Sequence, residues 1–357
     1  MIVLKRSLLL LLCPFVSAAH ASDWTLGSTS YLQFDVNRFD SDRVEISDDA
    51  SARRIRLGFE IKHASGVDAR AEYDVPSNTW TDLFARYRFG GGHGVRIGQF
   101  RQPFNLDQLT SGRWTMMQER ALPSALAINR RLGVDYQYVQ PNWTVTASAF
   151  GQTLGGLDDG QGLAMRGTWL AWREGGDFLH FGMAVMQEEP DIGSSRFSAR
   201  PEAGLANRVL VDSGRLAGVD RILRSGVEGV WVGGPYSLQA EYLRAEMQRD
   251  AGDFQGQGYY LQGSWFVSGH QRRYKDGVMD GPKIEGDMGI ELALRWSHLD
   301  LDDGAVQGGR ARNVTAGINL YPRQNLRFTA NYVLARSERR GLNDDPSVLE
   351  LRAQLLF

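Results

Sequence analysis

Arginines recur at every second position in several short segments of this 357-residue chain. Arg54 and Arg56 form one such pair, and Arg86 and Arg88 form another, each with an apolar or aromatic residue between. Side chains two residues apart lie on the same face of a β-strand. A guanidinium is permanently charged, and its planar donors match two oxygens of a carboxylate or a phosphate. The spacing therefore predicts rows of cations along one face of a sheet, able to hold small anions.

The segments that carry these arginines are predicted to be strands, because apolar and polar residues alternate along them. Around Arg54, the apolar face holds Ile55, Leu57, Phe59 and Ile61. Each alternating segment has about the length of a tilted strand that crosses a membrane. We expect about sixteen such segments, an even number, with starts near residues 24, 51, 67, 80, 93, 131, 142, 162, 177, 226, 236, 256, 287, 311, 324 and 347.

The final segment indicates the compartment. Leu349, Leu351, Ala353, Leu355 and Phe357 share one face, and polar residues occupy the other. An alternating strand that ends the chain on an aromatic residue is typical of the closing strand of a bacterial outer-membrane β-barrel. The expected fold is therefore all-β, a transmembrane antiparallel β-barrel of about 16 strands. A soluble propeller or sandwich would also alternate, but the regular four-strand repeats of a propeller are not seen.

The first residues agree with export. Lys5 and Arg6 precede an apolar run over 7–16, and an A-x-A cleavage pattern ends at Ala21. This apolar core is too short for a spanning helix and is typical of a secretory signal peptide. We therefore expect residues 1–21 to be a signal peptide and 22–357 to form a single transmembrane β-barrel domain. An uncleaved anchor is the alternative interpretation.

The composition is compatible with a barrel and argues against nucleic acid as a partner. The mean hydropathy is -0.34 and 42% of residues are hydrophobic, values of a soluble protein. Barrels have such values because only alternate residues face lipid. With 40 basic and 42 acidic residues the net charge is -2, which does not favour nucleic acid. No cofactor, metal site or nucleic-acid partner is expected.

The connections between the predicted strands alternate in length. Short ones lie at 64–66, 90–92, 140–142, 233–235 and 321–323, and long polar ones span 101–130 and 189–225. Short periplasmic turns and long external loops give this rhythm. The segment 269–286 should be a turn by parity but is long. Either the strand count is wrong there, or this turn is elaborated.

One block resembles a known family. The sequence VRIGQFRQPF at 95–104 is followed by LTSGRW at 109–114, ERALP at 119–123 and RLGV at 131–134. This block is similar to the fifth strand and third external loop of the phosphate-selective porin O/P family. The segments 258–266, 291–297 and 313–321 extend the resemblance over nearly the whole mature chain.

The resemblance implies a sixteen-stranded, water-filled barrel that usually assembles as a homotrimer. It also implies that the third external loop folds into the lumen as a constriction, and that small anions, phosphate or polyphosphate in family members, pass along arginine-rich walls. Outer-membrane lipid and lipopolysaccharide would surround the barrel.

The candidate pore-lining and constriction residues combine the alternation with the resemblance. Strict alternation points Arg53 outward unless a bulge re-aims it, whereas the pair Arg53-Arg54 matches an arginine pair that the family has near the constriction. Asp82 matches an acidic residue near the narrow zone, and Ser111 matches a hydroxyl of the constriction loop. Arg70, Glu72 and Asp74, on one strand face, are expected to pair with facing residues and so stiffen the wall. The full candidate set is Arg53, Arg54, Arg56, Asp82, Arg86, Arg88, Arg96, Arg101, Ser111, Arg113 and Arg200.

This chain also departs from the phosphate-selective members. It has Gln108 at a lysine position and Gly112 at a serine position, and Arg56 and Arg101 stand at tyrosine positions. Around Arg200-Pro201 it has Ser198 and Glu202 where ladder arginines are typical. These changes argue against strict phosphate selectivity but keep the site positive. We therefore expect an anion-preferring porin and not an enzyme. A general non-specific porin, a barrel phospholipase or protease, and an adhesin or receptor barrel are the alternatives.

Overall fold

The alternating segments form one antiparallel sheet that closes on itself. The computed structural model describes residues 23–156 and 160–357, so the predicted signal peptide at 1–21 lies outside the described residues. The last strand pairs with the first in an antiparallel register that includes Tyr31 opposite Leu356. The result is a closed barrel of 16 strands, which confirms the predicted fold class and strand number.

We number the barrel strands along the chain. The first and last are each interrupted once, and the bounds are as follows: β1 Trp24–Ser28 and Tyr31–Asp40, β2 Asp49–His63, β3 Val67–Asp74, β4 Thr79–Arg88, β5 His93–Arg101, β6 Arg130–Val139, β7 Trp143–Phe150, β8 Gln161–Glu174, β9 Asp177–Glu189, β10 Val219–Gly233, β11 Tyr236–Arg249, β12 Phe254–Phe266, β13 Gly289–Asp303, β14 Val306–Arg323, β15 Leu326–Arg339, and β16 Leu342–Asp344 and Ser347–Leu356. The predicted starts are close to these. The largest displacement is at β10, predicted near 226, because its first residues continue out of a long loop.

Short elements lie in the connections. A one-turn α-helix, α1, covers Leu106–Leu109, and a 3-10 helix covers Leu122–Leu126. Two-residue strands pair within 190–218, namely Ser194–Ser195 with Leu216–Ala217 and Ser198–Ala199 with Val211–Asp212. Among the described residues, no helix has the length and apolar character needed to cross a membrane.

Each strand exposes its apolar face and buries its polar one. On β13, Leu292, Leu294 and Trp296 are exposed, whereas Glu291 and Arg295 are 0% and 2% exposed. This is the reverse of a soluble protein, because the outward face meets hydrocarbon and the interior is polar.

The turn at 267–288 is elaborated, and the strand count was right. It holds a small hairpin, Arg272–Lys275 paired with Val278–Pro282, that packs against the inner wall. Arg272 forms a buried ion pair with Glu291 of β13 at 2.7 Å, and Tyr274 contacts His180 of β9. The hairpin therefore occupies interior space on this side of the barrel.

Candidate pore constriction

The segment 102–129, which we call loop 3, is anchored to the inner wall at its start. Asn105 caps α1 through the backbone N–H of Gln108. Its side-chain amide and the backbone N–H groups of Leu106 and Asp107 all donate to the carboxylate of Glu241 on β11. Unpaired N–H groups at a helix start attract a carboxylate in this way. Glu241 thus holds the start of loop 3 against β11.

Three wall arginines hold the rest of loop 3 through its backbone carbonyls. Arg327 donates to Thr115 at 2.8 Å, Arg352 donates to Gln118 at 2.7 Å, and Arg295 donates to Glu119 at 2.9 Å. Buried carbonyls need such partners, and a guanidinium supplies several donors in a fixed fork. These arginines therefore position the loop rather than line an open passage.

The segment 190–218, loop 5, meets loop 3 at Glu202. The Glu202 carboxylate accepts from the backbone N–H of Leu122 and from Arg295, Ser297 and Thr315 on the wall. In the sequence alone, Glu202 indicates a loss of positive charge at this position. In the structure its charge is compensated by Arg295, and the residue joins two loops to the barrel.

Two of the predicted constriction residues, Arg56 and Arg113, lie beside Tyr31, a residue that the sequence did not single out. Tyr31 lies opposite Arg56 in the β1–β2 register. The guanidinium carbons of Arg56 and Arg113 lie 5.5 and 5.7 Å from the centre of its ring. Strand register could have suggested the first contact, but the second depends on how loop 3 folds. Tyr31 therefore contacts both an arginine of the wall and an arginine of loop 3.

Arg53 points inward, so the expectation from strict alternation is wrong. Gln33 pairs with Arg54 and Phe34 with Ala52, which leaves Arg53 as an extra, bulged residue. Such a bulge re-aims a side chain. The Arg53 Nε donates to Glu119 of loop 3 at 3.2 Å.

Arg54 approaches the same carboxylate from the wall. Its guanidinium lies 3.7 Å from Glu119 and donates to Gln33 at 2.7 Å. Burial opposes ionisation of Glu119, but Arg53, Arg54 and Arg352 outweigh it and hold the pKa of this carboxyl below its ordinary value. Glu119 was also missed from the sequence, and it partly offsets the positive charge of the arginine pair.

Arg101 and Arg113 have no carboxylate oxygen within 4.0 Å among the described residues. Arg101 donates to the carbonyls of Leu109 and Thr110 at 3.1 and 3.0 Å, and its Nε has no hydrogen-bond partner. Arg113 donates from Nε to the hydroxyl of Ser111 at 3.2 Å. These two cations are therefore not compensated by direct ion pairs.

Arg120, a further arginine that the sequence reasoning missed, completes this cluster. It donates to the Thr110 carbonyl at 3.0 Å and lies 3.6 Å from Asp107. Arg101 lies close enough to Arg120 and Arg56 for their like charges to repel it. The block 119–123 used for the family resemblance was the signal that could have identified Arg120.

The remaining predicted arginines lie apart from this cluster, in ion pairs along the wall. Arg86 and Arg88 both bind Asp68, at 3.0 and 2.7 Å, and Arg96 binds Asp135. Acidic residues on neighbouring strands thus compensate the charges of the arginines that the alternation placed in one row. These residues stiffen the wall more than they offer free cations.

Asp82 is likewise paired. It accepts from Arg130 Nε at 2.6 Å and lies 3.7 Å from Arg70. The expected wall pairing of Arg70, Glu72 and Asp74 is confirmed with partners on β2: Arg70 binds Glu60 at 2.8 Å, and Glu72 and Asp74 bind Arg56 at 3.0 and 3.2 Å. Residues on one strand face point side by side, so their partners come from the adjacent strand.

Arg200 is exposed in loop 5 and donates to the Gly204 carbonyl at 3.3 Å. It does not join the Tyr31 cluster. Across residues 23–156 and 160–357, no group of three or more histidine, cysteine or carboxylate side chains is arranged to hold a metal ion.

Comparison with known proteins gives a consistent assignment. The chain is 25% identical over 351 residues to Porin O of Pseudomonas aeruginosa, covering 85% of this chain and 78% of that protein. Its fold is similar to OmpT of Vibrio cholerae, with a TM-score of 0.62, 11% identity, and coverage of 94% of this chain and 99% of that one. It is also similar to an anion-selective porin from Comamonas acidovorans, with a TM-score of 0.58, 12% identity, and coverage of 93% and 100%. The sequence profile of the family described as phosphate-selective porin O and P matches residues 28–357. The chain therefore belongs to this family of porins of the bacterial outer membrane.

Proposed function

We propose that this protein is an anion-preferring porin through which small anions such as phosphate or polyphosphate diffuse passively. The observation that carries the proposal is the pair Arg101 and Arg113, two cations that have no carboxylate oxygen within 4.0 Å among the described residues, with Arg113 beside the ring of Tyr31. A narrow passage with low-dielectric walls focuses such a field and raises the local concentration of anions.

The same geometry favours transit over tight binding. Arg101 already donates to two loop carbonyls, and Arg113 donates to Ser111. Only part of each guanidinium remains for a passing anion, so each contact is weak. Conduction needs sites that are weak and several.

Selectivity for phosphate is proposed to be looser than the family description suggests. The lysine and the second serine of phosphate-selective members are absent, with Gln108 and Gly112 in their places. A general porin is therefore the second candidate. A channel is favoured over an enzyme by the family match.

We further propose a mature chain of one barrel domain, 22–357, that assembles as a homotrimer in outer-membrane lipid and lipopolysaccharide. The family resemblance supports the trimer, and a trimer form is described for the OmpT structure of Vibrio cholerae.

The test is single-channel recording of the purified protein in a planar bilayer. Under a KCl gradient we expect discrete steps and an anion-selective reversal potential, and added phosphate should reduce the KCl current. Cation preference would refute the proposal. Anion preference without a phosphate effect would favour a general anion porin, and folded protein without steps would redirect attention to hydrolase assays.

A further inference from the structure

Another pair of arginines lies on the outward side of the wall rather than in the lumen. Arg312 on β14 and Arg336 on β15 are both exposed on the outward face. They are directly opposite each other in the register of the two strands. His298 on β13 is opposite Arg312 in the same row. Three adjacent strands thus present two permanent cations and one titratable base side by side.

The protein itself does not compensate this pair. In the part of the chain that the structure describes, neither guanidinium has a carboxylate oxygen within 4.0 Å. In the next row outward, Asp300 binds Arg310 at 3.0 Å, and Glu338 lies opposite Arg310. Like charges directly opposite on neighbouring strands repel each other. An anion between Arg312 and Arg336 would relieve that repulsion.

The height of the row on the barrel indicates which anions the two arginines would meet. One step toward the periplasm, the same three strands expose Trp296, Val314 and Leu334. The apolar band therefore ends directly beneath the arginines. Because short turns are periplasmic in these barrels, this edge of the band lies at the outer leaflet, where the lipid is a phosphorylated glycolipid.

We propose that Arg312 and Arg336, flanked by His298, form a surface site for a phosphate group of lipopolysaccharide. Two planar guanidinium groups can share the oxygens of one phosphate, while the apolar row below contacts the acyl chains. The site depends on the outer-membrane location and not on the proposed ion selectivity. Either proposal can therefore fail without the other.

The test is a titration of the purified protein in detergent, followed by native mass spectrometry. The two probes are bisphosphorylated lipid A and the same glycolipid after removal of its phosphates. The test variant is Arg312→Gln with Arg336→Gln. The matched control is Arg323→Gln, which changes an exposed arginine at the periplasmic end of the same strand.

We expect the unmodified protein and the Arg323 variant to prefer the phosphorylated probe, and the double variant to bind it about tenfold or more weakly. That size corresponds to losing charge-assisted hydrogen bonds. Equal binding by the double variant, or no discrimination between the two probes, would overturn the site. Displacement of the lipid by excess inorganic phosphate would also overturn it, because the site would then take the free anion. Heat-modifiable migration on gels verifies folding, and the single variant Arg312→Gln replaces the double one if that does not fold.

Discussion

Arg295 of β13 and Glu202 of loop 5 form an ion pair of 2.7 Å in which both side chains are almost completely buried. The other side of the same guanidinium donates to the Glu119 carbonyl of loop 3. One wall residue therefore holds both loops. These buried contacts lie in the half of the barrel around β13. The arginine cluster lies beside Tyr31, on the wall formed by β1 and β2.

Replacing Glu202 with glutamine should destabilise the protein by about 3–5 kcal/mol, because Arg295 would remain buried without a counter-charge. Denaturant unfolding in detergent measures this change. Glu246→Gln is the matched control, since its pair with Arg244 is exposed and such pairs contribute about 0–1 kcal/mol. Equal unfolding midpoints for the two variants would contradict the proposal that the Arg295–Glu202 ion pair holds the two loops.

Replacing Arg101 and Arg113 together with glutamine should reduce the preference for chloride over potassium. A unit charge at about 4 Å contributes about 1 kcal/mol even in water, so we expect the permeability ratio to fall about fivefold per charge removed. Reversal potentials under a KCl gradient give this ratio. Arg88→Gln is the control, because Asp68 pairs with Arg88 in the wall and keeps Arg86 as a partner. A double variant as selective as the control would remove the basis of the proposed function.

Replacing Glu241 with alanine should release the start of loop 3. This carboxylate accepts from the Asn105 amide, from two backbone N–H groups and from the Tyr260 hydroxyl at 2.6 Å. We expect larger and noisier single-channel currents, since the loop would no longer be held against β11. Glu174→Gln, an exposed change at the end of β8, should leave the currents unchanged. Quiet currents of normal size from the alanine variant would show that other contacts hold the loop.

The ion pairs of Glu119 with Arg53 and Arg54 should stay intact as the pH is lowered, down to an unusually low pH. Its pKa is lowered in the folded protein, so its ionised contacts with Arg53 and Arg54 are fully present above the ordinary value of about 4.3. They are lost only as the pH falls through the lower, folded value. Selectivity should therefore be constant between about pH 8 and pH 5 as far as this group is concerned.

Glu119→Gln provides the complementary experiment. Removing the carboxylate frees Arg53 and Arg54, so anion preference at neutral pH should rise. A fall in anion preference would mean that the arginines need Glu119 to hold them in the pore. Reversal potentials of the variant and the unmodified protein at the same pH distinguish the two results.

The sequence by itself determined the barrel, because one face of every strand must be apolar for lipid and the other polar. That two-residue period is local, and it can be read without knowing which strand pairs with which. The alternation predicted the strand number and the closing strand near Phe357. For 269–286 it left two explanations open, and an elaborated turn was one of them.

Only the tertiary structure decided which of these arginines lack a carboxylate partner among the described residues. Arg86 and Arg96 looked equivalent to Arg101 in the sequence, yet facing acids on neighbouring strands compensate the first two. Arg53 turned inward because of a bulge that alternation does not reveal. The charge of a pore depends on partners that are distant in the chain, and the register of the strands and the path of loop 3 bring those partners together.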